Sequence, residues 1–184
     1  MKLSRKLFFF MSLATIVGFS VLAAFMIYFF QEKTVTQVFA SEYTLWFQIS
    51  LGVVYGILSS IIISALLEMK FCEAVKQFFE RLFVDVEVKW PDILLASFSA
   101  GVGEELFFRA GLQPFLGIWL TSILFIAIHS YIKMTKAWLF FGFIMILMSA
   151  GLGYLYEYVG LVSAMSAHAA FDVMGFRALL KRKG

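Results

Sequence analysis

Six apolar stretches alternate with short polar ones along the chain: Leu7 to Phe30, Leu45 to Leu67, Pro91 to Arg109, Leu116 to His129, Ala137 to Val159 and Leu161 to Phe176. A hydrocarbon core of about 30 Å is crossed by about 20 helical residues at about 1.5 Å each, so the pattern predicts a set of membrane spans. The fourth stretch is the exception, because a helix of its length reaches only about 21 Å. The first follows Lys2, Arg5 and Lys6 in the manner of a secretion signal. It stays apolar to Phe30, well past an h-region of about 7 to 15 residues, and reads as a retained span. Between the second and third stretches, Glu68 to Trp90 places Phe71, Val75, Phe78 and Leu82, with Phe79 and Phe83 beside them, opposite Lys70, Glu73, Lys76, Gln77, Glu80 and Arg81. That spacing predicts an amphipathic helix lying in the membrane interface. Trp90 and Pro91 then mark the start of the next helix.

The predicted architecture is an all-α, polytopic membrane helix bundle of about six transmembrane helices plus one interfacial helix, forming a single integral membrane domain over residues 1–184. Residues 1–67 supply two N-terminal spans, 68–90 the cytoplasmic interfacial segment and 91–176 a core that carries the chemistry. Composition excludes the soluble alternative: 62% of the 184 residues are hydrophobic and 15% charged, against roughly 45 to 50% and about 25% in soluble domains. The mean hydropathy is +0.91. Cys72 is the single cysteine, so neither a disulfide framework nor a thiolate metal site can form. The net charge of +3 does not point to nucleic acid, since the basic residues sit between apolar runs and not along one helical face. They report orientation instead. With the N-terminus cytoplasmic, Lys2, Arg5, Lys6, Lys70, Lys76, Arg81, Lys89, Lys133, Lys136, Arg177, Lys181, Arg182 and Lys183 fall inside, and only Lys33 and Arg109 fall outside. The positive-inside rule therefore puts both termini in the cytoplasm.

Small residues at four-residue spacing, Gly52 with Gly56 and Ser149 with Gly153, read as helix contacts within the bundle. Ionisable residues inside spans are costly and are functional candidates. Here they cluster on three stretches: Glu104, Glu105 and Arg109 on the third, His129 at the end of the fourth, His168 and Asp172 on the sixth. The chain's two histidines both belong to this set. Glu105 and Arg109, at i and i+4, should pair along one helix face as a charge-neutralising couple. Glu104 lies about 100° away and has no such partner. A desolvated carboxylate without a partner suits a general base acting on water. His168 and Asp172 also share a face, with Asp172 placed to satisfy the imidazole.

Two other chemistries are compatible with parts of this inventory. Ser130, Ser163 and Ser166 could serve as nucleophiles beside a histidine, but none sits in a G-x-S-x-G elbow. His129 and His168 with Glu104 or Asp172 could hold zinc, although no HExxH accompanies them.

Glu104-Glu105-x-x-x-Arg109, Phe125-x-x-x-His129 and His168-x-x-x-Asp172, in this order on successive polar-bearing spans, resemble the CAAX protease and bacteriocin-processing family of intramembrane endopeptidases. The resemblance covers Pro91 to Phe176, about half the chain, which is short for that family. It implies a metal-independent glutamate protease: Glu104 with His129 activates the attacking water, His168 with the residue at Asp172 holds the developing oxyanion, and Glu105 with Arg109 orders the site. The family more often has Asn at the last position. Asp172 donates only when protonated, so it can instead orient His168. No cofactor is implied, with zinc through His129, His168 and Glu104 as the alternative. The partners implied are membrane lipid and a peptide or protein substrate near the membrane, and the short chain without a targeting extension suggests a bacterial plasma membrane.

One tension remains in this reading. Counted along straight spans, Glu104 lies in the outer half of the bilayer and His129 in the inner half, about 10 Å apart. A fold-back around Gln113 and Pro114, buried below the surface, would close the gap. A non-catalytic membrane protein of the same fold, such as a bacteriocin immunity or sensor partner, is the competing function. A proton-coupled transporter fits less well, because the first two stretches carry no buried charge and no repeat is evident.

Overall fold

The structure is a computed structural model that describes residues 5–83, 89–129 and 134–181. Lys2, Ser130, Lys133, Arg182 and Lys183, invoked above, lie outside the described residues, as do the side chains of Leu82, Phe83 and Lys181. Among the described residues, seven α-helices carry the fold: α1 (Arg5–Gln31), α2 (Leu45–Leu67), α3 (Glu73–Phe83), α4 (Trp90–Glu105), α5 (Gln113–Ile128), α6 (Lys136–Tyr158) and α7 (Leu161–Lys181). A π-helical segment, Leu106–Leu112, joins α4 to α5 without a break. No strand occurs among the described residues.

Among the described residues, four helical runs are long and apolar enough to cross a membrane: Arg5–Gln31, Leu45–Leu67, Trp90–Ile128 and Lys136–Tyr158. This differs from six separate spans in two places. The polar residues of α7, including Ser163, Ser166, His168, Asp172 and Arg177, dilute its hydropathy. The third and fourth stretches form one helical run. That run is nevertheless bent back on itself. A straight helix would hold Glu104 and His129 about 37 Å apart, yet their side chains come within 3.4 Å. Phe108 and Phe125 likewise meet, with ring centroids 4.9 Å apart. These pairs are centred near Gly117, whose φ of 71° and ψ of 171° break the helix. The fold-back therefore lies at Gly117 and not at Gln113 and Pro114, which are helical. Proline is compatible with the first turn of a helix, whereas only glycine adopts the Gly117 backbone without strain.

Contacts fix the helix directions. α1 and α4 run parallel, from Arg5 Nε against Asp92 Oδ2 at 2.7 Å to Gln31 Nε2 donating to the Ala110 carbonyl at 2.7 Å. α7 runs antiparallel to α1, with Phe8 on Phe176 near one end and Ile27 in the same cluster as Leu161 near the other. α2 and α7 run parallel and pack most closely where Gly52 and Gly56 admit the backbone of Ser163 and Ala167. The helix contact read from that small-residue pair is present, because a Cβ at either glycine would collide with main chain. The first and last described helices thus begin and finish at the same end of the bundle. That end gathers Arg5, Lys6, Lys70, Lys76, Arg81, Lys89, Lys136 and Arg177, whereas Lys33 lies at the other end and Arg109 in the interior.

The outside of the bundle is apolar. Phe9, Phe10, Val17, Val21 and Phe25 of α1 and Val54, Leu58 and Ile61 of α2 are exposed, a surface suited to lipid rather than water. The amphipathic segment is helical as expected. Its Val75 is buried, and Phe79 packs on Trp138 and Phe141 at centroid distances of 6.3 and 5.7 Å, docking α3 on the bundle at the basic end.

Candidate functional site

The polar core is assembled from α4, the π segment, α5, α6 and α7. Glu105 ends α4 and Arg109 sits in the π segment, both without solvent exposure. A π turn inserts an extra residue per turn and is often found at functional positions. Here it carries Arg109 into the bundle. Its loosened carbonyls at Ala110 and Gly111 are satisfied by the Gln31 amide, at 2.7 and 3.3 Å.

Arg109 Nε donates to Glu105 Oε2 at 2.9 Å, which is the pair expected from their spacing. The guanidinium also donates to Ser149 Oγ at 2.8 Å and to Ser122 Oγ at 3.5 Å, and lies 5.7 Å from the centre of the Phe125 ring. Ser149 was expected to serve helix packing with Gly153. It instead accepts a charge-assisted hydrogen bond, while Gly153 does make room for Gln113 and Ile118. The other Glu105 oxygen, Oε1, accepts from His168 Nδ1 at 2.8 Å. This bond has no signal in local spacing, because its partners lie on different helices 63 positions apart. Glu105 therefore neutralises Arg109, as its spacing predicts, and also orients His168, a role the sequence offers to Asp172 as the alternative to holding the oxyanion. Asp172 Oδ2 stands 3.7 Å from His168 Nε2, beyond hydrogen-bond distance.

Glu104, one residue earlier, points elsewhere. Its Oε2 lies 3.4 Å from His129 Nε2 and has no hydrogen-bond partner among the described residues. His129 occupies the C-cap of α5, where Nδ1 meets the Phe125 carbonyl at 2.7 Å. Because a carbonyl only accepts, Nδ1 carries a proton, and when the ring is neutral Nε2 presents a lone pair toward Glu104. Bending at Gly117 removes the expected separation in depth between these two residues. Glu104 sits about 21 Å along α4 from Trp90, and the bend brings His129 to the same level.

Glu104, His129, His168 and Asp172 together line one cavity of about 230 Å³, walled by Tyr55, Phe125, Met148 and Phe171. An adjoining apolar cavity of about 160 Å³ shares Met145, Phe171, Asp172 and Phe176 with it and continues past Ile63 and Phe141 to Phe79 of α3. The two cavities thus share a wall, and the apolar one lies on the side of the basic end. Of the serines considered as nucleophiles, Ser163 and Ser166 are engaged elsewhere. Ser163 Oγ donates to the Gly160 carbonyl at 2.7 Å and Ser166 Oγ to the Val162 carbonyl at 2.7 Å. Among the described residues, no three His, Cys, Asp or Glu side chains converge in an arrangement that could hold a metal ion.

Residues 86–174 match the family model described as type II CAAX prenyl endopeptidase Rce1-like. The uncharacterized protein YpbD of Bacillus subtilis (strain 168) is 33% identical over 85 residues, which make up 46% of this chain and 43% of YpbD. The chain thus spans less than half the length of that relative. No solved structure matches the chain.

Proposed function

From the match of residues 86–174 to the Rce1-like family model, we propose that the protein is an intramembrane endopeptidase that hydrolyses a peptide bond in a membrane-associated peptide or protein. The observation that carries this reading is the approach of Glu104 Oε2 to His129 Nε2 at 3.4 Å in a cavity faced by His168 and Asp172. Both atoms are proton acceptors when His129 is neutral. A water seated between them donates one hydrogen to each, which leaves an oxygen lone pair free to attack a carbonyl across the cavity.

Attack converts the carbonyl oxygen to an oxyanion, which requires donors fixed in advance. His168 is held by Glu105 through Nδ1, so Nε2 faces the cavity. It donates there when the ring carries both protons, and the Glu105 and Asp172 carboxylates on its two sides compensate that charge. The proton accepted by Glu104 then passes to the leaving nitrogen, completing cleavage without a covalent enzyme intermediate. Glu104, His129, His168 and Asp172 are the proposed catalytic residues; Glu105 and Arg109 order them. We place substrate entry on the side of the adjoining apolar cavity, from the basic end, which we assign to the cytoplasm with both termini. Exposed Phe71, just before α3, and Phe78 of α3 rest in the interface on that side.

The reading is tested by comparing peptides released from membranes holding wild-type protein with those from membranes holding Glu104→Gln at matched expression. Peptides or trimmed ends present only with wild type are expected. Identical sets would remove Glu104 from the chemistry and favour a non-catalytic scaffold.

A further inference from the structure

Ser149 does more than the packing its position suggests. It is 3% exposed, lies on α6, and accepts from Arg109 Nη2 at 2.8 Å. Ser122 reaches the same guanidinium only at 3.5 Å, and its hydroxyl is already donated to the Ile118 carbonyl at 2.8 Å. Alanine would fill the α6 position as well in a small-residue seam. What serine adds is an oxygen for a buried cation, and hydrogen bonds to charged donors are roughly twice as strong as neutral ones.

We infer that Ser149 is a positioning residue for the proposed reaction: from α6 it fixes the Arg109 guanidinium and, through Glu105, sets the ring of His168 on α7. The linkage is short and rigid. Ser149 Oγ holds Nη2, Arg109 Nε holds Glu105 Oε2, and Glu105 Oε1 holds His168 Nδ1, at 2.8, 2.9 and 2.8 Å. A planar guanidinium and a planar carboxylate stand between the two ends, so rotation of Arg109 turns the Glu105 carboxylate and with it the acceptor that orients His168. The inference rests on the hydrolase reading only for its effect on turnover. The relay itself is a property of the folded protein.

The chain's two histidines make the test simple. Protein labelled with 15N-histidine and held in detergent micelles gives two sets of imidazole resonances, assigned with His168→Gln. Ser149→Ala is expected to displace the His168 Nδ1 resonance and speed exchange of its proton while leaving His129 in place, and Ser149→Thr, which keeps the hydroxyl, restores both. Peptide release falls about tenfold in Ser149→Ala and recovers in Ser149→Thr, in line with the loss of a side chain that orients a functional histidine. His168 resonances that superimpose on wild type in Ser149→Ala overturn the inference. So does a displacement equally large in Ser122→Ala, which would report general loosening around Arg109. If His168 responds as expected but wild type releases no peptide, the hydrolase reading fails and the relay stands.

Discussion

Glu105 and His168, 63 positions apart, are joined by a 2.8 Å hydrogen bond from the imidazole Nδ1 to one carboxylate oxygen, while the other oxygen takes the Arg109 guanidinium. One buried carboxylate thus neutralises a cation and fixes the tautomer and direction of a histidine in the candidate site. Stability of the bundle and geometry of the site therefore depend on the same side chain.

That dual role separates two substitutions. Arg109→Met leaves Glu105 buried without its cation and should cost about 3 to 5 kcal/mol, because breaking one side of a buried pair strands the other charge. Glu105→Gln keeps an oxygen for Arg109 but removes the charge that supports both of its partners, so peptide release should fall even in the fraction that stays folded. Thermal unfolding in micelles, measured beside peptide release, checks both. A stable Arg109→Met variant, or full activity in Glu105→Gln, would contradict the shared role.

The Glu105 and Arg109 pair was legible because i, i+4 spacing is a property of one helix, and the contacts of Gly52 and Gly56 followed from the same logic. The bond from Glu105 to His168 was hidden, since nothing in a single chain's spacing tells which helices become neighbours. Ser149 was read as a small packing residue for a similar reason: its partner lies 40 positions away on another helix. The fold-back was anticipated because Glu104 and His129 needed it. Its place was misjudged because Gln113-Pro114 looks like a turn, whereas Gly117 sits among Phe115, Leu116, Ile118 and Trp119 with no polar neighbour to mark it.

Asp172 gives a sharper expectation than the sequence allowed. His168 is oriented by Glu105, so Asp172 is free to act at the cavity through charge or through a donated proton. Asparagine keeps its size and supplies N–H donors directly. Asp172→Asn should retain peptide release within about tenfold of wild type, whereas Asp172→Leu, which has neither donor nor charge, should lose about a hundredfold or more. Equal loss in both variants would mean that the carboxylate charge itself is required.

Metal dependence can be examined without substrate knowledge beyond the release assay. Zinc held through His129, His168 and Glu104 would need these side chains grouped as ligands, and no such group of three occurs among the described residues. Incubation with a strong chelator should leave peptide release unchanged. Activity lost to the chelator and recovered with added zinc would move Glu104 and the histidines from acid–base roles to metal ligands.

Gly117 stands at the fold-back that brings Glu104 to His129, the proposed water-activating pair. Its φ of 71° with ψ of 171° lies in a region that residues with a Cβ occupy only under strain, at a cost of about 1 to 3 kcal/mol. A Cβ there meets nothing within 4 Å, so any effect of Gly117→Ala comes from the backbone and not from a clash. Gly18 of α1 is equally open but helical, and Gly18→Ala should stabilise slightly through helix propensity. If the fold-back brings Glu104 to His129, Gly117→Ala should lower the unfolding temperature and depress peptide release together, while Gly18→Ala does neither. Unchanged release in a folded Gly117→Ala protein would show that the approach of Glu104 to His129 does not depend on this backbone conformation.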